Sequence, residues 1–239
     1  MSILNNKNCL ITGATGGLGK EIAKQLLKNN CNMFLTAQNG TKLQKLKAEL
    51  EKTNTKKCKI NYCAGDVTKE TQIKKIIKMV RQSFDRVDIL INCAGIFQSN
   101  PISQSILEDF DKVFGVNIRA PFLFCKEFST DMVKRKWGRI VNIGSSSSYS
   151  GFKDGSIYCS SKHAILGLSR SLFNELKEHN VRTYCVSPGS IKTKMGRLSR
   201  DQDYETFLDP ADVAKYVAFI VLFDGELISE EIRLNRINL

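Results

Sequence analysis

In the stretch YCSSK, Tyr158 and Lys162 stand four positions apart with only Cys159, Ser160 and Ser161 between them. On a helix such a spacing puts both side chains on one face, so a phenol and an ammonium project together. A neighbouring cation favours the phenolate: from an ordinary value of about 10 the phenol pKa is expected to fall by roughly 1–3 units, and further beside a cationic ring. A phenol tuned in this way exchanges protons near neutral pH. Thirteen residues upstream, Ser145 ends an apolar run that reads as a strand, and its hydroxyl is expected to reach an oxygen held by the Tyr. Alone, the pair would read as the solvated face of an amphipathic helix. Cys159 could act as a nucleophile, but no His accompanies it at a suggestive spacing, and it reads as a small buried thiol.

Three further segments carry chemistry at the ends of apolar runs. TGATGGLG, Thr12 to Gly19, follows one run and opens a helix, so Gly13, Gly17 and Gly19 would let backbone approach a pyrophosphate at a helix N-terminus. Tight packing alone could also explain any one of these glycines. In LTAQNG, Ala37, Gln38 and Asn39 supply no carboxylate for a ribose 2′-hydroxyl. NADP(H) is therefore favoured, with NAD(H) the second choice and Lys42 a candidate phosphate partner. Asp66 in AGDV either accepts from an adenine amino group or caps the next helix. NCAG brings Asn92, Ala94 and Gly95 toward the same ligand.

The elements that must position these residues alternate. Periodicity predicts strands at 8–12, 31–36, 58–62, 88–92, 139–144, 181–186 and 229–235. Helices are predicted at 17–29, 41–52, 69–84, 103–114, 118–136, 157–179 and 210–222. Such alternation implies a Rossmann-type, doubly wound parallel sheet in three α/β/α layers, with ligands at the carboxyl ends of the strands. At 239 residues with no linker or repeat, residues 1–239 are expected to form one domain.

Composition excludes other classes. The longest apolar run, YVAFIVLF, is far too short to span a membrane, and the N-terminus lacks the apolar core of a signal peptide, so a cytoplasmic location is expected. Eight Cys without a CxxC pair, and only 2 His, support neither a disulfide framework nor a metal site. The net charge of +12 falls almost wholly in residues 1–86, which hold 17 Lys and Arg against 6 Asp and Glu. Those lysines occupy polar helix positions without interleaved aromatics, so a solvated face is read rather than a nucleic-acid partner.

In their order and spacing these segments resemble the short-chain dehydrogenase/reductase family over nearly the whole chain, its 3-oxoacyl carrier-protein reductase-like members included. The family's TGxxxGxG matches Thr12 to Gly19, its NNAG matches Asn92 to Gly95 with Cys93 at the second position, and its PG segment with a following Thr matches Pro188, Gly189 and Thr193. The resemblance implies a catalytic tetrad of Asn117, Ser145, Tyr158 and Lys162. It implies nucleotide contacts from Gly13, Thr15, Gly16, Gly17, Leu18 and Gly19, and from Gln38, Asp66 and Val67. Further contacts come from Asn92, Ala94 and Gly95, from Tyr158 and Lys162, and from Pro188, Gly189, Ile191 and Thr193.

By that resemblance Tyr158 protonates the substrate oxygen as hydride passes from the nicotinamide, and Ser145 polarises that oxygen. Lys162 holds the ribose hydroxyls and lowers the Tyr pKa. Asn117 disturbs its helix and links Lys162 to solvent, and Ile191 and Thr193 lie against the carboxamide. The substrate lid, 190–209, is short, and the missing DGG near the C-terminus leads us to expect the tail contact to be absent. Lys134, Arg135 and Lys136 match the basic residues that dock an acidic carrier, whereas His179 stands in the second docking region. In the lid, Lys192, Lys194, Arg197 and Arg200 could favour an anionic substrate, but Asp201, Asp203 and Glu205 follow and compensate them. The expected substrate is a small-molecule or carrier-bound carbonyl or alcohol, an acyl-carrier or sugar-type ketone among them. A homodimer or homotetramer built on the helices at 103–136 and 157–179 is implied. A non-catalytic dinucleotide-binding scaffold is the alternative function, and an intact tetrad argues against it.

Overall fold

The computed structural model describes residues 4–199 and 202–237; Arg200 and Asp201 of the lid lie outside them. Seven strands form one sheet: β1 (Asn8–Thr12), β2 (Asn32–Ala37), β3 (Ile60–Ala64), β4 (Ile89–Asn92), β5 (Gly138–Ile143), β6 (Val181–Pro188) and β7 (Glu231–Leu234). Every pairing is parallel and the order is β3-β2-β1-β4-β5-β6-β7. Parallel neighbours require crossovers, and helices supply them: α1 (Gly17–Lys28), α2 (Gly40–Lys52), α3 (Glu70–Ser83), α4 (Leu107–Phe114), α5 (Ala120–Lys134), α6 (Ser156–Leu176) and α7 (Pro210–Leu222).

Both faces of the sheet are buried, which is why its strands read as unbroken apolar runs. In β1, Cys9 and Ile11 join a core with Leu26 and Val217 of α1 and α7. Leu10 faces the opposite core, with Ile76 and Phe124 of α3 and α5. The chain lays β2 and β3 on one side of β1 and returns to place β4 on the other, so the crevice of this doubly wound fold opens between the carboxyl ends of β1 and β4. Thr12 ties that point together, its Oγ1 accepting from the backbone N–H of Cys93 and of Ala94, each at 3.1 Å.

Two regions differ from expectation. The predicted helices 103–114 and 118–136 are joined: α4 runs through a π-helical turn, Gly115–Arg119, directly into α5. Pro121 lies in the first turn of α5, where its missing N–H costs little. The C-terminal contact is present despite the missing DGG. The Gly189 N–H donates to the Leu234 carbonyl at 2.8 Å, and Arg236 reaches the lid through Gln202 Oε1 at 3.1 Å and through Thr206. Among the described residues no helix is long and apolar enough to cross a membrane, and no cluster of metal-binding side chains occurs. All eight cysteines are free, and six are buried.

Candidate active site

A cavity of about 1560 Å³ opens at the carboxyl ends of the strands. Drug-sized ligands occupy roughly 300–1,000 Å³, so it has room for a dinucleotide and a second molecule. Every nucleotide contact expected from the sequence borders it except Asn92.

The glycine turn is built for close approach. Gly13 has φ +64, and a side chain there would begin 2.7 Å from the Ala94 Cα; one on Gly19 would begin 2.4 Å from the Gly13 carbonyl oxygen. Gly16 caps α1 without a side-chain hydrogen bond and no acidic residue stands in the first turn. The helix therefore offers free N–H groups and its positive end to the cavity, which suits a pyrophosphate. The Thr193 methyl lies against Gly17 and closes this end from the lid side.

At the end of β2, Gln38 borders the cavity, whereas Lys42 does not; the Lys42 backbone N–H donates to Asn39, the N-cap of α2. Asp66 faces the cavity and accepts from the backbone N–H and the hydroxyl of Thr68 at 2.9 and 2.7 Å, which lowers its pKa. It does not cap α3, whose N-cap is Lys69.

Asn92 does not border the cavity. Its side chain is buried beneath the sheet's rim, donating from Nδ2 to Asn142 Oδ1 at 2.8 Å, and its Oδ1 has no partner among the described residues. Parallel registry sets Asn92 beside Asn142, so the side chain braces β4 against β5, while Ala94 and Gly95 border the cavity.

Ser145, Tyr158 and Lys162 meet at the cavity. Ser145 follows β5 and caps the 3₁₀ turn Ser146–Ser148, its Oγ accepting from the Ser147 N–H at 3.1 Å. Tyr158 and Lys162 lie on α6, with the Lys162 Nζ 5.7 Å from the Tyr158 ring centre and donating to the Ile143 carbonyl at 2.9 Å. The expected lowering of the Tyr158 pKa is reversed: burial pushes it up to about 12, and a hydrogen bond with Ser145 opposes only part of that rise. Burial also brings Lys162 down to about 8, with the nearby Cys185 and Cys93 pulling the other way. Sequence spacing counted the attraction between the two groups and missed the cost of desolvating each.

Asn117 lies in the π-helical turn and is buried. It accepts from the Ile96 N–H and donates to the Ile96 carbonyl and to Ser161 Oγ, each at 3.0 Å. A side chain on Gly95 would begin 3.6 Å from Asn117 Oδ1 and 3.8 Å from Lys162 Nζ, so the two groups flank one point. His163 does stand one turn beyond Cys159, but its Nδ1 lies 2.9 Å from the Cys159 carbonyl oxygen. The imidazole thus serves the backbone rather than activating the thiol.

Sequence reasoning missed Phe97 and Phe152, which border the cavity and pack around Tyr158. They lie 55 positions apart in loops, where no periodicity marks them. In the lid, Lys192 pairs with Glu205 at 3.2 Å and Arg197 stacks over Tyr204 at 4.2 Å, so part of its charge is compensated. Lys136 and Ser145 flank opposite ends of β5, whose six residues span roughly 20 Å. Lys136 thus lies at the end of β5 opposite to Ser145 and the cavity.

Fold and cavity are those of a Rossmann-type dinucleotide-binding protein. The chain belongs to the short chain dehydrogenase family, which matches residues 7–203, and is an oxidoreductase of that family. It is 32% identical over 226 residues to the 3-oxoacyl-acyl-carrier-protein reductase FabG of Rickettsia bellii (strain RML369-C), covering 91% of this chain and 90% of that one. An uncharacterised oxidoreductase of Staphylococcus aureus (strain MRSA252) is 30% identical over 219 residues, 92% of each chain. Among solved structures, ElxO with NADP bound superposes with a TM-score of 0.86 at 30% identity, over 96% of this chain and 97% of that one. A metagenomic short-chain oxidoreductase in complex with NADP gives 0.85 at 27% identity, covering 98% of both.

Proposed function

We propose that this protein is an NADP(H)-dependent carbonyl reductase, also able to run as an alcohol dehydrogenase, with Tyr158 as its proton donor. One observation carries the reading: a phenol, a serine hydroxyl and a buried ammonium converge on the rim of a cavity whose other end is a glycine turn at a helix N-terminus.

The uncapped N-terminus of α1 and Gly13 would hold the pyrophosphate, Asp66 the adenine end, and Ala94, Gly95, Ile191 and Thr193 the nicotinamide end. The absence of a carboxylate beside Gln38 supports NADP(H), in keeping with the NADP in the related ElxO structure. When bound, the nucleotide supplies or accepts the hydride. With a pKa of about 12, Tyr158 stays protonated at neutral pH and is ready to give its proton to a carbonyl oxygen, which the Ser145 hydroxyl orients. Lys162 keeps its charge below about pH 8 and, with no carboxylate paired to it among the described residues, directs it at the site. Asn117 positions the loop over Lys162 by gripping both polar groups of Ile96.

A small-molecule carbonyl compound fits better than a carrier-bound one, because the basic residues suited to a carrier sit at the far end of β5. All parts of the site come from one sheet and its loops, which supports one domain with a lid. Exposed Ile106, the N-cap of α4, and Leu107 and Phe110 in its first turns support self-association there. The free thiols accord with a reducing, cytoplasmic setting.

The test is to mix protein, NADPH and a panel of ketones and follow absorbance of the reduced nicotinamide. Ketone-dependent oxidation of NADPH is expected. Nucleotide-dependent thermal stabilisation with no turnover of any ketone, or of any alcohol with NADP, would favour the scaffold alternative.

A further inference from the structure

The cavity wall beside Tyr158 is aromatic and is held in place from behind. The Phe97 ring meets Tyr158 edge-on at 4.8 Å and lies nearly parallel to Phe152, with centres 6.0 Å and planes 14° apart. Phe152 is 43% exposed and borders the cavity. Neither ring sits on a free loop. Ile96, next to Phe97, is clamped at both backbone polar groups by Asn117. Phe152 packs on Gly155, where a side chain would begin 2.5 Å from its ring, so only glycine admits the ring in this position. The two loops are joined by the Asn100 N–H donating to the Asp154 carbonyl at 2.8 Å. Across the cavity, the lid adds Met195 and Leu198, exposed by 37% and 55%.

Partly exposed aromatic faces fixed beside a reacting group reward a flat apolar substituent, through area removed from water and through ring–ring geometry. A polyhydroxylated substituent would lose its hydration against these rings without gaining partners from them. We infer that Phe97 and Phe152 are specificity-determining residues and that the substrate is a ketone, or its alcohol, bearing an aryl or other planar apolar ring beside the reacting carbon. This rests on the carbonyl-reductase reading and narrows it, setting aside the sugar-type ketone.

The experiment measures kcat/KM with NADPH for an aryl methyl ketone, a straight-chain methyl ketone and dihydroxyacetone, in the wild type and in Phe97→Ala, Phe97→Leu and Phe152→Ala. NADPH binding and melting temperature are recorded for each variant. The wild type should prefer the aryl ketone over dihydroxyacetone by at least about tenfold. Phe97→Ala should lower kcat/KM for the aryl ketone by roughly 10–100-fold, mainly through KM, with a smaller effect on the straight-chain ketone and none on NADPH binding. Phe97→Leu keeps apolar bulk without the ring face and should fall between. A wild-type preference for dihydroxyacetone, or equal losses on all three ketones in folded, NADPH-binding variants, overturns the inference while leaving hydride transfer intact. Absence of turnover on every ketone overturns the reductase reading itself.

Discussion

Two buried cations sit at opposite ends of the sheet, and they are treated differently. Arg139, at the start of β5, is fully buried; it pairs with Asp224, donates to the Gly138 carbonyl at 2.8 Å and stacks over Trp137 at 4.4 Å. Lys162, at the carboxyl end of the strands, is 6% exposed and is given one backbone carbonyl, with no carboxylate among the described residues. Burial lowers the pKa of both. A charge that only holds the fold together is neutralised locally, since an unpaired buried charge costs several kcal/mol. Lys162 is left with its field unspent and aimed at the cavity, an arrangement that stability alone does not favour.

Substitutions at the two ends should separate these roles. The largest effect is expected from Tyr158→Phe, which removes the proposed proton donor beside Lys162: turnover should fall roughly a thousandfold while NADPH still binds, as fluorescence titration would show. Retained turnover would move the donor elsewhere. Lys162→Met should lower kcat/KM roughly a hundredfold and leave the melting temperature unchanged or raised, because an uncompensated buried charge is lost. A marked drop in melting temperature would make Lys162 a structural cation like Arg139. Arg139→Met should do the reverse, costing about 2–3 kcal/mol in chemical denaturation with kcat/KM unaltered. That figure is below the roughly 3–5 kcal/mol usual for a broken buried pair because Asp224, 48% exposed, recovers water.

The cation at the cavity end was legible in the sequence as a neighbour of Tyr158, and the one at the opposite end was not. Tyr158 and Lys162 are one helical turn apart, so local geometry alone put them together, and strict strand–helix alternation supplied the sheet and its open end. Arg139 and Asp224 are 85 residues apart, and nothing in β5 announces that an arginine lies beneath it. The same limit hid the Phe97–Phe152 wall and the direction of the Asn92 side chain, whose motif is local but whose hydrogen bonding is set by registry with β5. The missing DGG misled for a related reason: Arg236 reaches Gln202 and Thr206 through side chains that no motif describes. The Tyr158 pKa was misjudged because desolvation depends on tertiary burial rather than on spacing.

The most direct measurement of the account is the pH dependence of kcat/KM for carbonyl reduction, in the wild type and in Lys162→Met. A basic group whose pKa burial has lowered to about 8 is an ammonium below that pH and neutral above it. Reduction should therefore decline above about pH 8, approaching tenfold per unit, while alcohol oxidation rises over the same range. Lys162→Met should lack the inflection. A wild-type profile that stays level from about pH 7 to 9.5, or an inflection that survives in Lys162→Met, would contradict the role given to the unpaired ammonium.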